Sequence, residues 1–206
     1  MIKNIIFDFG NVIAHFYPEK LTSPFVSDEK TRKYISEVVF DRLYWDRLDD
    51  GTISDDEVKV EICKRVPEKF CEVACTVYDN WICSMTPVAG VKDVVFALKE
   101  QGKKLYLLSN ISIGFAENYH TVPWIKEILD CFDGLVFSGA IGMVKPDREI
   151  FTYLLANFYL KADECLFIDD SAKNISGAEN AGIKGYLFDG DASALSATLT
   201  NIGILR

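Results

Sequence analysis

Four polar clusters lie far apart in the chain, three of them where an apolar run stops and one just ahead of an apolar stripe. Asp8 interrupts the run that begins at Lys3, Ser109 and Asn110 follow the run that begins at Lys104, and Asp169 and Asp170 follow Cys165 to Ile168. Lys145 stands before Pro146, ahead of an apolar stripe of Ile150, Phe151, Leu154, Leu155 and Phe158. Singly, each has an ordinary reading. An aspartate after a strand caps a turn, Ser-Asn closes a strand, Lys-Pro opens a helix, and Asp-Asp-Ser is an N-cap pattern. Jointly they can do phosphoryl transfer. A carboxylate such as Asp8 can act as a nucleophile and form an aspartyl-phosphate. Adjacent acids such as Asp169 and Asp170 repel each other, and a bound cation relieves that repulsion. Mg²⁺ takes such oxygen ligands and keeps positions for water and a phosphate oxygen. The Ser109 hydroxyl and the Lys145 ammonium can hold the other phosphate oxygens. The reaction then needs little beyond alignment and charge neutralisation.

The elements that must position these groups follow from periodicity. Strands are predicted over Lys3 to Phe9, Lys104 to Ser109, Gly134 to Ser138, Cys165 to Ile168 and Gly185 to Phe188. Between them, Val91, Val94, Val95 and Leu98 recur at helical spacing, as do Ile150 to Phe158 and the set Ile175, Ala178 and Ala181. Strands alternating with helices imply βαβ units and an α/β fold with a parallel sheet. Ligands of such sheets bind at the carboxyl ends of the strands, where Asp8, Ser109, Asn110, Asp169 and Asp170 fall. Residues 16–86 break the alternation. They carry helical stretches over Asp28 to Trp45, Ser54 to Val66 and Glu68 to Met85, and are expected to form a helical cap inserted after the first strand. The core is then 1–15 and 87–206, with hinges near His15 to Pro18 and Thr86 to Gly90.

The formal charge of −9 repels phosphate backbones, which argues against nucleic-acid binding. No apolar run is long enough to span a bilayer, and the N-terminus lacks the pattern of a signal peptide. The expectation is a cytoplasmic protein, a monomer or homodimer, that handles small molecules. Six cysteines occur, four of them between Cys63 and Cys83. Their spacing is irregular and the histidines are only His15 and His120, so reduced thiols packed as small core residues are expected in place of a zinc site.

The order Phe-Asp8-Phe-Gly-Asn-Val, Leu-Leu-Ser109-Asn110, Lys145-Pro146 and Phe-Ile-Asp169-Asp170-Ser resembles the four motifs of the haloacid dehalogenase-like superfamily. The run from Asn174 through Gly177 and Ala178 to Gly182 extends the likeness. The resemblance implies a Rossmann-like core with a small α-helical cap and a Mg²⁺-dependent phosphohydrolase acting on small phosphorylated metabolites. It implies Asp8 as nucleophile, and Ser109 and Lys145 on the phosphoryl group with Asn110 supporting them. The implied metal ligands are Asp8, Asp169, Asp170 and the Gly10 carbonyl.

One position departs from the pattern. Most phosphatases of this family carry a second Asp two residues after the nucleophile, as general acid and base, and here Gly10 stands there. Either another group such as His15 or an ordered water supplies the proton, or the leaving group needs little protonation, or the chain binds phosphorylated ligands without turnover. A bacterial branch with the same Asp-x-Gly-Asn-Val opening includes sugar-phosphate phosphatases, notably for glucose 1-phosphate, which implies sugar phosphates here. The competing readings are a non-catalytic phospholigand-binding or protein-interaction member and a haloacid dehalogenase; family dehalogenases replace the acidic pair that this chain keeps. His15, near the cap hinge, is a candidate substrate contact. Tyr44, Trp45 and Trp81 read first as cap core. Arg47, Asp49 and Asp50, beside Gly51, are candidates to reach the site from the cap.

Overall fold

A computed structural model describes residues 1–205; Arg206, the last residue of the expected core, lies outside the described residues. In chain order the elements are β1 (Asn4–Phe7), β2 (Ala14–His15), α1 (Pro18–Thr22), α2 (Glu29–Val39), α3 (Arg42–Asp49), α4 (Asp55–Arg65), α5 (Glu68–Asp79), α6 (Trp81–Ser84) and β3 (Thr86–Pro87). They continue with α7 (Val91–Glu100), β4 (Lys104–Ser109), α8 (Ile113–Asn118), α9 (Pro123–Leu129), β5 (Gly134–Phe137), α10 (Ser138–Ile141) and α11 (Arg148–Asn157). The last four are β6 (Cys165–Asp169), α12 (Ala172–Asn180), β7 (Lys184–Leu187) and α13 (Ala192–Asn201).

Five parallel strands form one sheet in the order β5-β4-β1-β6-β7. The expected α/β fold is therefore present. β1 is apolar on both faces because helices cover both. Ile5 and Phe7 point into one core with Leu105, Leu107, Val94, Leu98 and Leu195. Ile6 points the other way, into a core with Leu108, Phe151, Leu154, Phe167 and Ala178. β1 lies in the middle, with Phe7 registered between Leu107 and Ile168. Asp8 and Asp169, each one place further along, and Ser109, two places past Leu107, therefore come together at one edge of the sheet.

Residues 18–84 hold six helices and no strand. A short antiparallel ribbon, β2 with β3, ties the two chain crossings together, pairing Ala14 with Pro87 and His15 with Thr86. The stretch expected as one helix over Asp28 to Trp45 is two, because Asp41 turns outward and caps α3, accepting from the Leu43 N–H at 3.0 Å. Ser54 and Glu57 form a capping box that starts α4. No helix among the described residues is long and apolar enough to cross a membrane.

The cysteines correct the expectation of reduced core thiols. Cys63 and Cys71 are disulfide-bonded, with Cα atoms 4.9 Å apart, and the Cys75 sulfur lies 3.5 Å from that of Cys63. The link between α4 and α5 is only Val66-Pro67, so the last turn of α4 faces the first turn of α5. Linear spacing in the sequence hides that proximity. Of the free thiols, Cys165 alone is buried.

Candidate active site

Lys145 organises the strand ends. Its ammonium lies 2.8 Å from Asp8 Oδ1 and 2.7 Å from Asp169 Oδ2, and the residue is 4% exposed. A lysine so buried survives only with its charge matched on more than one side. Asn110, one residue past β4, fixes it: Asn110 Nδ2 donates to the Lys145 carbonyl at 2.9 Å, and Asn110 Oδ1 accepts from the Lys145 N–H at 2.8 Å. Asp8 continues β1 through a 2.9 Å bond from its N–H to the Ile168 carbonyl.

Asp169 is fully buried and its oxygens are taken by protein donors. Oδ1 accepts from the Ser171 N–H at 2.8 Å and from Asn174 Nδ2 at 3.1 Å, while Oδ2 accepts from Lys145 and from the same Asn174 amide at 3.1 Å. Asp170 is more open and meets one donor, Asn11 Nδ2 at 3.3 Å. Asn11 takes a left-handed conformation, φ 53°, and its Oδ1 accepts from the Phe16 N–H at 3.0 Å, which closes the loop after Asp8 into a tight turn.

The electrostatics follow from crowding. Burial pushes Asp8 up to about 7, against the pull of Lys145, and the Asp169 charge adds to the rise. Burial and Asp169 also raise Asp170. Burial opposes charge on Lys145, but the Asp8 and Asp169 carboxylates outweigh it and hold the ammonium above its ordinary range. Three carboxylates, Asp8, Asp169 and Asp170, bring oxygen atoms within 4.8 Å of one another, against one buried ammonium. Such an oxygen-only cluster suits a hard divalent cation.

A cavity of about 180 Å³ opens above this floor. Asp8, Gly10, Ser109, Asn110 and Asp170 line its base. Phe16, Arg42, Trp45, Asp49, Trp81 and Met85 line its walls from the helical segment. Trp45 and Trp81 are thus both packed core and cavity wall, 5.1 Å apart edge to face.

The structure brings together Asp8, Gly10, Ser109, Asn110, Lys145, Asp169 and Asp170. Asn110 lines the cavity, and its amide also holds Lys145 through both its nitrogen and its oxygen. One expectation changes. His15 lies outside the cavity lining. Its ring stacks on Tyr17 at 5.1 Å, because neighbouring residues of extended chain point to opposite sides and Phe16 takes the inward place. Of the three cap candidates, Asp49 lines the cavity. Arg47 donates to the Thr52 carbonyl and Asp50 accepts from Thr52. Arg42 is a cavity residue the sequence did not single out.

A family model for a haloacid dehalogenase-like hydrolase matches residues 2–182. The chain belongs to this family. Among its relatives are a sesquiterpene phosphatase of Aspergillus oryzae, 27% identical over 94% of this chain and 93% of the relative. Another is a D-ribitol-5-phosphate phosphatase of Bacteroides thetaiotaomicron, 28% identical over 90% and 91%. A crystal structure of a haloacid dehalogenase-like enzyme from B. thetaiotaomicron, in complex with magnesium and inorganic phosphate, shares the fold. Its TM-score is 0.68 at 24% identity, covering 95% of this chain and 99% of that one. The expected enzyme class, a hydrolase of the phosphatase branch, agrees with these relatives.

Proposed function

We propose that this haloacid dehalogenase-like hydrolase cleaves small phosphomonoesters, sugar phosphates among them, through an aspartyl-phosphate on Asp8. The observation that carries the reading is the Lys145 ammonium held between Asp8 and Asp169 at the floor of a small cavity. Lys145 keeps the nucleophile aligned and stabilises negative charge on the phosphoryl group as it transfers. Ser109, at the end of β4, donates its hydroxyl to a phosphoryl oxygen. Asp8 attacks phosphorus as the bond from phosphorus to the substrate oxygen breaks and the alcohol leaves. Water later hydrolyses the acyl phosphate, releasing phosphate and the free carboxylate.

The charge balance supports a Mg²⁺ ion. Three carboxylates against one ammonium repel a phosphate dianion, and the oxygen cluster fits the ion's ligand preference. Asp8, Asp170 and the Gly10 carbonyl would hold it. Asp169, saturated by Lys145, Ser171 and Asn174, would contribute less directly. When bound, the ion neutralises the phosphoryl oxygens. Residues 16–86 act as the cap over the core of 1–15 and 87–206. Trp45 and Trp81 give the cavity an apolar wall for the carbon skeleton of a substrate, and Arg42 and Asp49 give it polar groups.

The test is phosphate release from a panel of phosphorylated metabolites, with Mg²⁺ and with EDTA. Activity should require the ion, and Asp8→Asn should abolish it while the melting temperature holds. Asp170→Ala should raise the Mg²⁺ concentration needed more than Asp169→Ala does. Turnover by clean Asp8→Asn protein would overturn the covalent route, and full activity in EDTA would overturn the metal assignment.

A further inference from the structure

Gly10 leaves the floor of the cavity without the carboxylic acid that would protonate a departing alkoxide, yet a second acid faces that space from above. Asp49 ends α3, is 7% exposed, and lines the same cavity as Asp8, Gly10 and Ser109. Its polar neighbours are engaged elsewhere: Arg42 pairs with Asp46, and Asp50 accepts from Thr52 N–H and hydroxyl. The Asp49 carboxyl itself makes no hydrogen bond or ion pair among the described residues. An acid buried without a partner costs stability, and such groups concentrate at functional sites.

The backbone is shaped to put it there. Gly51, at φ +74°, lies so close to the core that a Cβ on it would stand 2.3 Å from the Gly139 carbonyl oxygen. In turn, a Cβ on Gly139 would meet the Leu48 carbonyl at 2.8 Å. Two glycines thus let the end of α3 sink against α10, beside Asp49.

We propose that Asp49 is the general acid and base of this site, delivered by the helical segment in place of the carboxylate missing at Gly10. The inference rests on the phosphohydrolase reading above. As the bond from phosphorus to the leaving oxygen breaks and the bond to Asp8 forms, the Asp49 proton passes to that oxygen and the alcohol departs. In the second step the Asp49 carboxylate takes a proton from water as its oxygen bonds to phosphorus. The Asp8–phosphorus bond breaks, releasing phosphate and restoring both acids to their starting states.

The charges around Asp49 suit a proton donor near neutrality. Burial pushes it up to about 7; Arg42 and Lys145 pull it down, while Asp46 and Asp50 push it up. Asp8 and Asp170 face it across the cavity, and α10, packed against α3, carries no titratable side chain. An acid must be protonated to donate, so kcat/KM should fall as pH rises through this range.

The experiment compares two substrates of similar size, benzyl phosphate and 4-nitrophenyl phosphate. Loss of a general acid costs about 10²- to 10⁴-fold where the leaving group is basic. Asp49→Asn should therefore lose about 100-fold or more on benzyl phosphate. With 4-nitrophenyl phosphate the first turnover should survive as a burst of nitrophenolate, followed by a slow steady state, because water attack has lost its base. The alkaline limb of the benzyl phosphate profile should vanish in Asp49→Asn and persist in Asp49→Glu. Equal losses on both substrates with the alkaline limb intact would overturn the inference and leave Asp49 a packing residue. Should Asp49→Asn fail to fold, Asp49→Ser carries the same comparison. If the wild-type chain hydrolyses neither ester with Mg²⁺ present, the phosphohydrolase reading itself fails; an active wild type with an indifferent variant removes Asp49 alone.

Discussion

Asn110 grips both backbone groups of Lys145, its amide nitrogen 2.9 Å from the lysine carbonyl and its amide oxygen 2.8 Å from the lysine N–H. The side chains are 35 residues apart in sequence, so this pair fastens the end of β4 to the loop before α11. It also sets where the ammonium meets Asp8. Lys145→Ala should cost turnover about 10²- to 10³-fold, as the loss of one preorganised electrostatic group does. Asn110→Ala leaves the lysine in place but frees its backbone. It should cost stability about 1–3 kcal/mol for the two broken bonds and lower kcat less than the lysine variant does. Urea melts and kcat on one substrate check both. An Asn110→Ala enzyme with native kcat and stability would show that the grip is incidental.

The approach of Gly51 to Gly139 sets the depth of the α3 end. Gly51→Ala places a methyl 2.3 Å from a backbone oxygen in a left-handed conformation, which costs about 1–3 kcal/mol or moves the loop. Either way Asp49 shifts. We expect kcat/KM to fall while Mg²⁺ affinity, read by metal-dependent fluorescence of Trp45 and Trp81, stays near native. A parallel fall in metal affinity would mean that the substitution disturbs the core strands.

Far from the site, Asp133 ties β4 to α7. It accepts from Lys99 and Lys104 at 2.8 Å each and from the Leu105 N–H at 3.0 Å. Partial burial pushes its pKa up, but these donors win and hold it at about 2. A depressed carboxylate stabilises the fold above its ordinary pKa of 3.8 and loses that contribution as pH falls from there toward 2. Both lysines are well exposed, so screening reduces the contribution to about 1 kcal/mol. Asp133→Asn should therefore be less stable than wild type at pH 7 and close to it near pH 2. A difference that stays constant across that range would assign the effect to packing.

The core was legible because its signals are local. Each buried strand is a continuous apolar run. Asp8 and Asp170 sit one position past β1 and β6, and Ser109 and Asp169 end β4 and β6. Lys145 is marked instead by Pro146 and the helical stripe after it, so the five could be grouped from the sequence. The short helices α8, α9 and α13 escaped notice because each spans too few turns, or too bland a stripe, to show a period. The β2–β3 ribbon is two residues long on each side and has no period at all. Nearness in sequence misled at His15, where alternation along extended chain turned the imidazole away and Phe16 inward. Asp49 reads as a candidate from its place beside the Gly51 turn, whereas Arg42 meets the site only through tertiary packing of α3, which no linear spacing encodes.

Gly10 offers the sharpest test of how protons move here, because its surroundings are open. A Cβ at Gly10 would meet no atom within 4 Å, so an acid can be installed without displacing the chain. Gly10→Asp adds an acid on the floor of the cavity, near the place where Asp49 acts from the wall. In the native chain one acid already serves, and the addition should change turnover of glucose 6-phosphate little. In the Asp49→Asn background it should recover about 10-fold or more of the lost rate, a fraction of the span that general acid catalysis provides. The recovery should be larger for glucose 6-phosphate than for glucose 1-phosphate. A primary alkoxide is the more basic leaving group, whereas the anomeric oxygen is stabilised by the ring oxygen beside it. The four proteins, wild type, each single variant and the double variant, measured on both sugars give the coupling directly. If Gly10→Asp accelerates the wild type on glucose 6-phosphate as strongly as it does Asp49→Asn, the two acids act independently and the proton in the native enzyme comes from elsewhere, an ordered water being the remaining source.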